Sequence, residues 1–542
     1  MTSDNSIFKS IANPVYAKKG MVATSQTHAV KAGIEILKKG GNAADAAIAT
    51  AAALNVTEPC STGLGGDCFG LFYDSKTKNI TALNGSGRAP KALSIDLVNN
   101  HGMTDEIPPY HPFTITIPGA CAGWCDLIEK HGTMNMLEIL APAIKLAEEG
   151  FPVGPVTSHF WHKGALNQLK NSPGGKELTI DGKAPKQGEI FRNTTLANTL
   201  KAIAVNGKSI FYEGYIAEKI SSTIKSLGGV MTVDDLASHT STWDTPISTL
   251  YKNIRIHECP PNGQGLTALL ALNILSCFDL PENPLSTERL HYVIESLRLA
   301  FADTRWYVTD PAFSNIPVND LLSMEYAKER ASLINPKKAK LDQKYGIPTS
   351  SSDTVYLSVV DGLGNACSFI NSNYMGFGTG IVPEGLGFSL QNRGHNFSLN
   401  PDHPNVLAPN KRPYHTIIPA MATHDADDSL YSSFGVMGGF MQPQGHVQVV
   451  LGLLENDLDP QSALNNPRIC IEDGSAGGTV GLEEGIPENV CKELNSMGHE
   501  VHMISGFERS LFGRGQIILS NPETGELCGG SDPRADGCAL GY

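Results

Sequence analysis

A chain of 542 residues with 41% hydrophobic content can bury a large core and has the length of two or more ordinary domains. Its formal net charge of −14 argues against a general nucleic-acid or anionic-membrane surface. The 11 cysteines are odd in number, widely spaced and free of any CxxC pair, which fits reduced thiols rather than a disulfide framework or a zinc cluster.

Met1 to Lys18 has no continuous apolar run and carries Asp4, Asn5, Lys9 and Lys18 scattered through it, so it does not read as a secretory signal and a cytoplasmic location is expected. His28 to Leu37 has helical spacing and closes at Gly40-Gly41, after which Asn42-Ala43-Ala44-Asp45 opens a second, alanine-rich helix. Small residues suit it to close packing against a neighbour, and Ala43 to Leu54 is too short to cross a membrane. Pro59 to Asp67 is a turn-rich stretch whose glycines match neither a P-loop nor a dinucleotide fingerprint. It leads into a strand, Cys68 to Tyr73, and the strand Ile80 to Leu83 then precedes Gly85-Ser86-Gly87-Arg88-Ala89-Pro90.

Leu140 to Phe151 is a helix closed by Gly150. Phe211 to Gly214, Gly228 to Leu236 and Pro260 to Gly265 supply caps, turns and helix starts. Glu295 to Arg305 is a helix expected to turn Leu297, Ala300 and Phe301 inward and Arg298, Asp303 and Arg305 outward, and no chemistry is assigned to it. Glu325 to Lys344 is charged, as an exposed helix followed by a loop would be.

Ser351-Ser352-Asp353 then feeds Thr354 at the start of an alternating strand that runs to Asp361. Asp361-Gly362-Leu363-Gly364-Asn365 turns the chain into a second apolar run, Ala366 to Ile370, completing a hairpin. A threonine that opens a strand commonly does no more than fit the pleat. A cut between Asp353 and Thr354 would instead expose an α-amine with a pKa of about 7.7–8.0 beside a hydroxyl, a base and a nucleophile in one residue. Gly435 to Phe440 follows a further strand, and Gln444 to Leu454 has the apolar period of a helix.

Thr354 to Asp361, Gly364-Asn365 and Gly376-Phe377-Gly378-Thr379-Gly380-Ile381-Val382 together resemble the start of the small subunit of the γ-glutamyltransferases. These are N-terminal-nucleophile hydrolases made as self-cleaving proenzymes, and the resemblance runs from about residue 20 to about residue 540. It implies an α/β fold of the four-layer αββα sandwich type, with 1–353 as the large and 354–542 as the small part of one intertwined catalytic unit. Periodicity alone supports a mixed α/β class without a topology.

The resemblance also implies roles. Thr354 is the nucleophile, cleavage falls between Asp353 and Thr354, and Ser372 stands where the family has a second active-site threonine. Gly438-Gly439 corresponds to the glycine pair whose N–H groups receive the oxyanion. Arg88 is the candidate for the arginine that holds the substrate carboxylate, although the family arginine falls level with Ser86; the competing reading is a scaffold arginine. Tyr374 replaces a family asparagine. Arg393 and Asn396 replace acidic or amide residues that bind the substrate's α-ammonium, so a permanent positive charge stands where a negative one is usual and a carboxylate or carbonyl is expected at that corner. His415 and Thr416 replace a serine pair; His415 is open to anion binding when protonated or to neutral hydrogen bonding.

The implied activity is hydrolysis, or transfer to an amine, of γ-glutamyl-like amides such as glutathione through an acyl-enzyme on Thr354. One alternative is an amidohydrolase for a small carboxylated amide such as oxamate. The other is an unprocessed binding protein on the same fold. No metal or cofactor is implied. The expected partners are a small-molecule amide and the two fragments of the chain itself, without nucleic acid or membrane, and homo-oligomerisation stays open.

Overall fold

The computed structural model describes residues 12–341 and 354–542. Asp353, the residue before the expected cut, lies outside them. Two seven-stranded antiparallel sheets form the centre. One has the spatial order Val15–Ala17, Leu527–Ser531, Arg514–Ser520, Leu430–Met437, Ala420–His424, Ile254–Glu258 and Ile247–Tyr251. The other runs Cys538–Gly541, Gly20–Thr24, Val355–Asp361, Ala366–Ser372, Asp67–Asp74, Asn79–Gly85 and Thr242–Asp244. Both sheets therefore combine strands from before and after Thr354.

The period of two in the strand Val355–Asp361 sets the layers. Val355, Leu357 and Val359 enter an apolar cluster shared with the helices Thr27–Lys38 and Ala43–Thr57. Tyr356 and Val360 point the other way, into a cluster with Met421 and Ile518 of the opposing sheet. On the far side of that sheet, Ile254, Ala420 and Phe434 pack against the helices Gly265–Leu275, Thr287–Tyr307 and Met441–Leu454. The result is the four-layer αββα sandwich that the resemblance implies.

The alanine-rich helix Ala43–Thr57 is buried along its whole length. Asn42 caps it by accepting from the N–H groups of Ala44 and Asp45, and Asp45 returns the bond to Asn42 N at 2.9 Å. Its alanines permit the close approach of the neighbouring helix, where any Cβ on Gly33 would stand 2.3 Å from Thr50 Oγ1. The hairpin turn is held by Asp361, whose Oδ1 accepts from Leu363 N at 2.9 Å and Asn365 N at 3.0 Å. Its Oδ2 accepts from Ala43 N at 3.0 Å, joining the hairpin to the N-terminus of that helix.

One expected face is reversed. Arg298 is not on the outside of Thr287–Tyr307 but 1% exposed, donating to Ala476 O at 2.8 Å and Gly478 O at 2.9 Å. Asp303 is buried as well and pairs with Arg330 at 2.9 Å. The helix is covered on both sides because the segments 324–334 and 469–504 pack over faces that a two-layer reading leaves to solvent. Among the described residues, no helix is long and apolar enough to cross a membrane.

A buried ion pair ties the two halves of the chain. Arg514 Nη1 lies 2.6 Å from Glu58 Oε1, and Glu58 also accepts from Ser25 Oγ, Gln26 Nε2 and Ser61 Oγ. Arg514→Ala leaves this carboxylate buried without its cation and is expected to lower the unfolding free energy by about 3–5 kcal/mol. Urea denaturation measures this; a loss below about 1 kcal/mol would mean that the pair behaves as a solvated surface bridge.

Candidate active site

The site begins with strand register. Val355 pairs with Asn371, and Ser372 on the same strand pairs with Asp67, so Thr354, Ser372 and Asp67 follow one another across the end of the sheet. Thr354 and Ser372 are wholly buried, and their hydroxyl oxygens are 2.9 Å apart. Ser372 Oγ also accepts from Tyr374 N at 2.9 Å and from Arg393 Nη2 at 3.3 Å. The strand Ala366–Ser372 is two residues longer than the sequence expectation, which stops at Ile370.

Beyond the strand the chain bends sharply, with Tyr374 at φ +77° and Phe377 at φ +50°, a left-handed backbone that costs a bulky residue free energy. The Tyr374 ring lies under the Arg393 guanidinium at 4.3 Å. Its hydroxyl donates to Asn396 Oδ1 at 2.6 Å, and Asn396 Nδ2 donates to Tyr414 O at 3.1 Å. Arg393 Nη1 donates to Thr416 Oγ1 at 2.6 Å. Burial pulls the Arg393 pKa down to about 10, opposed by the charge of Asp67, so the guanidinium remains cationic at neutral pH. Its Nε–H has no hydrogen-bond partner among the described residues.

Asp67 balances that charge. Its Oδ1 accepts from Gly87 N at 3.1 Å and Gly119 N at 3.2 Å. Its Oδ2 faces His415 Nε2 at 3.0 Å. Ile417 N–H points at His415 Nδ1, so that nitrogen is bare and Nε2 carries the proton donated to Asp67. Burial, with Arg393 and Arg412 nearby, holds His415 well below the usual histidine range and therefore neutral. Burial also pushes Asp67 up to about 6 against the pull of Arg393 and the two backbone N–H groups. Of the two expectations for His415, protonated anion binder or neutral hydrogen-bonder, the geometry gives the second.

The glycine-rich stretch before Asp67 serves as close packing. Gly65 pairs with Leu390, and a Cβ on Gly66 would stand 2.2 Å from Ser372 O. Gly438 at φ +135° and Gly439 at φ +58° end the strand Leu430–Met437 in conformations that favour glycine. Gln264 couples this turn to the 414–416 segment: its Nε2 donates to Thr416 O at 2.6 Å and Gly439 O at 2.8 Å, and its Oε1 accepts from Tyr414 OH at 3.0 Å. A cleft of about 480 Å³ opens beside Gly438, with Met375, Gly376, His395 and Phe440 on its walls, a volume suited to a small molecule.

The structure thus brings together Thr354, Ser372, Tyr374, Arg393, Asn396, His415 and Thr416, with Gly438-Gly439 linked to them through Gln264. Arg88 is not among them: its side chain donates to Thr240 O at 3.3 Å. The buried guanidinium behind Ser86 is that of Arg412, which donates to Ser86 O at 2.9 Å, Thr242 Oγ1 at 3.0 Å and Thr240 O at 3.3 Å and so shapes the loop. Asp67, Gln264 and Arg412 escape a sequence reading. Asp67 alone leaves a trace there, as the one acidic residue closing the glycine-rich stretch.

The model of the γ-glutamyltranspeptidase family matches residues 29–542. The chain belongs to this family. Its γ-glutamyltranspeptidase relatives include the "Glutathione hydrolase-like YwrD proenzyme" of Bacillus subtilis, 37% identical over 97% of this chain and 99% of the relative. The "Oxamate amidohydrolase proenzyme" of Klebsiella pneumoniae is 31% identical over 96% and 98%. Among solved structures, a cephalosporin acylase from Bacillus halodurans superposes with a TM-score of 0.92 at 43% identity, covering 100% of this chain and 99% of that one.

In this γ-glutamyltranspeptidase site the acidic partner has a testable pH signature. A carboxyl whose pKa is higher folded than unfolded binds its proton more tightly in the native state. The stability from Asp67 is complete below its unfolded pKa of about 3.9 and is lost as pH rises through about 6. Asp67→Asn is therefore expected to destabilise the protein more at about pH 4.5 than at about pH 7.5, by roughly 2 kcal/mol, in paired urea titrations. An equal cost at both pH values would contradict the raised pKa.

Proposed function

We propose that the chain is a self-cleaving N-terminal-nucleophile amidohydrolase and acyltransferase acting on γ-glutamyl-like amides, with Thr354 as nucleophile. Thr354 Oγ1 attacks the carbonyl carbon of Asp353, the peptide C–N bond breaks in favour of an ester, and water opens the ester. This frees the Asp353 carboxylate and the Thr354 α-amine, giving fragments 1–353 and 354–542. The amine then takes the hydroxyl proton as Thr354 attacks a substrate amide and returns it to the leaving amine. Water, or a second amine, releases the acyl group. Gly438 and Gly439 supply N–H groups to the oxyanion, an interaction whose loss costs about 3–4 kcal/mol of transition-state stabilisation.

The observation that carries this reading is the 2.9 Å contact of Thr354 Oγ1 with Ser372 Oγ, a hydroxyl that itself accepts from Tyr374 N and Arg393 Nη2. The hydrogen bond shared by the two hydroxyls, with the positive charge of Arg393 on Ser372 Oγ, polarises Thr354 Oγ1 as the α-amine withdraws its proton. The family match and relatives whose names include "proenzyme" support the same assignment. Intact mass of purified protein is expected to show two fragments meeting at Asp353-Thr354 in wild type and one uncut chain in Thr354→Ala. A stable, uncut wild-type chain would instead favour a binding protein on this fold.

Arg393 favours a second reading of the substrate, a small carboxylated amide of the oxamate kind. A buried guanidinium beside the nucleophile repels an α-ammonium and attracts a carboxylate, and Asp67, the acidic group nearest in the hydrogen-bonded network, is occupied by Gly87, Gly119 and His415. Arg393→Met is expected to lower kcat/KM for carboxylated donors by about 10- to 100-fold, the worth of one charge-assisted hydrogen bond. Steady-state kinetics on γ-glutamyl anilides beside oxamate-like amides checks this. A rise in activity toward donors bearing an ammonium would mark Arg393 as the specificity determinant, whereas unchanged kinetics with both classes would remove it from the binding site.

A further inference from the structure

Away from Thr354, a second cluster of ionisable side chains is buried where residues before and after Thr354 meet. His291 and Glu295 stand one turn apart on the helix Thr287–Tyr307 and share a face. His499 follows the helix Glu488–Ser496 and precedes the strand Val501–Ile504. All three are at most 3% exposed, and one ligand atom from each falls within 4.8 Å of the others. His291 and His499 are separated by 208 positions, so helical spacing alone does not reveal the group.

Proton accounting shows what the cluster lacks. His291 Nε2 lies 2.7 Å from Asn335 O, and a carbonyl only accepts, so Nε2 carries the proton and Nδ1 is bare. That bare nitrogen accepts from His499 Nε2 at 2.8 Å, which leaves His499 Nδ1 bare in turn. His499 Nδ1 faces Glu295 Oε1 at 4.0 Å, and neither atom has a hydrogen-bond partner among the described residues. Two buried polar atoms thus face each other with no hydrogen bond between them.

We propose that His291, Glu295 and His499 form a buried site for a divalent transition-metal ion of the zinc type, fastening residues 335–340 to the turn at His499. Two neutral imidazoles and a carboxylate are a donor set that zinc takes readily. Bonds of about 2.0–2.1 Å place tetrahedral ligand atoms about 3.3–3.5 Å apart, so the cluster needs only a local contraction and a turn of the His499 ring. Arg298 Nε stands 3.8 Å from the same oxygen, Glu295 Oε1, a positive charge that weakens the local field for a cation. The same groups already grip the chain that leads toward Thr354: Lys340 N donates to Glu295 Oε2 at 3.2 Å and Ala339 N to Met497 O at 2.7 Å.

The test uses the full-length protein, stripped with a chelator and titrated with zinc(II) by calorimetry and with cobalt(II) by visible absorption. The expected result is one equivalent per chain, the intense visible bands of cobalt four-coordinated by the three side chains and a water, and a rise in Tm on adding zinc. All three are expected to vanish in His499→Ala and in Glu295→Gln and to persist in Thr354→Ala, which separates the site from self-cleavage. Wild-type protein without stoichiometric binding or cobalt bands overturns the proposal whatever the variants do. Binding that survives equally in both cluster variants overturns it as well, and a bridging water would then satisfy the two acceptors.

Discussion

One antiparallel register governs this molecule. With Val355 opposite Asn371 and Ser372 opposite Asp67, three polar side chains are delivered to the same end of a sheet whose two faces pack largely against apolar neighbours. A slip of one residue would send Thr354 to the wrong face and expose Val355, Leu357 and Val359 to the inter-sheet layer in place of Tyr356 and Val360. The turn at Asp361 and, at mid-strand, the inter-sheet bonds of Ser358 to Ser433 O at 2.9 Å and Oγ at 2.5 Å hold that register. The position of the nucleophile is therefore a property of the whole sandwich.

Around that register the charge arrangement follows from burial. Arg393 is a fully desolvated guanidinium, tolerable because the Tyr374 ring lies beneath it, Thr416 and Ser372 accept from it, and Asp67 supplies an opposing charge. Asp67 in turn is tolerable because two backbone N–H groups and His415 satisfy its oxygens. Each member would be costly alone, which couples the loops at 87, 119, 393 and 415 into one unit.

Much of the scaffold was legible in the chain. The glycine pair at 40–41 and the asparagine at 42 mark a helix boundary in the sequence, and the helices Thr27–Lys38 and Ala43–Thr57 meet there. The alternation after Thr354 and the turn Asp361 to Asn365 encode the hairpin, because a period of two and left-handed turn residues are local properties. Arg298 was misread because helical periodicity tells which residues share a face and not how many faces the rest of the fold will cover.

The amino-acid order, matched to the motifs of the family it resembles, marked Thr354 as candidate nucleophile, the hydroxyl at Ser372 and the unusual cation at Arg393, since motif matching follows chain order and needs no third dimension. Only the tertiary structure decided that His415 is neutral and spent on Asp67, that Arg88 points to Thr240, and that Arg412 fills the space behind Ser86. The same holds for His291, Glu295 and His499. Hydrogen-bond partnership and pKa depend on groups hundreds of positions apart and on the removal of water, and neither is written in local spacing.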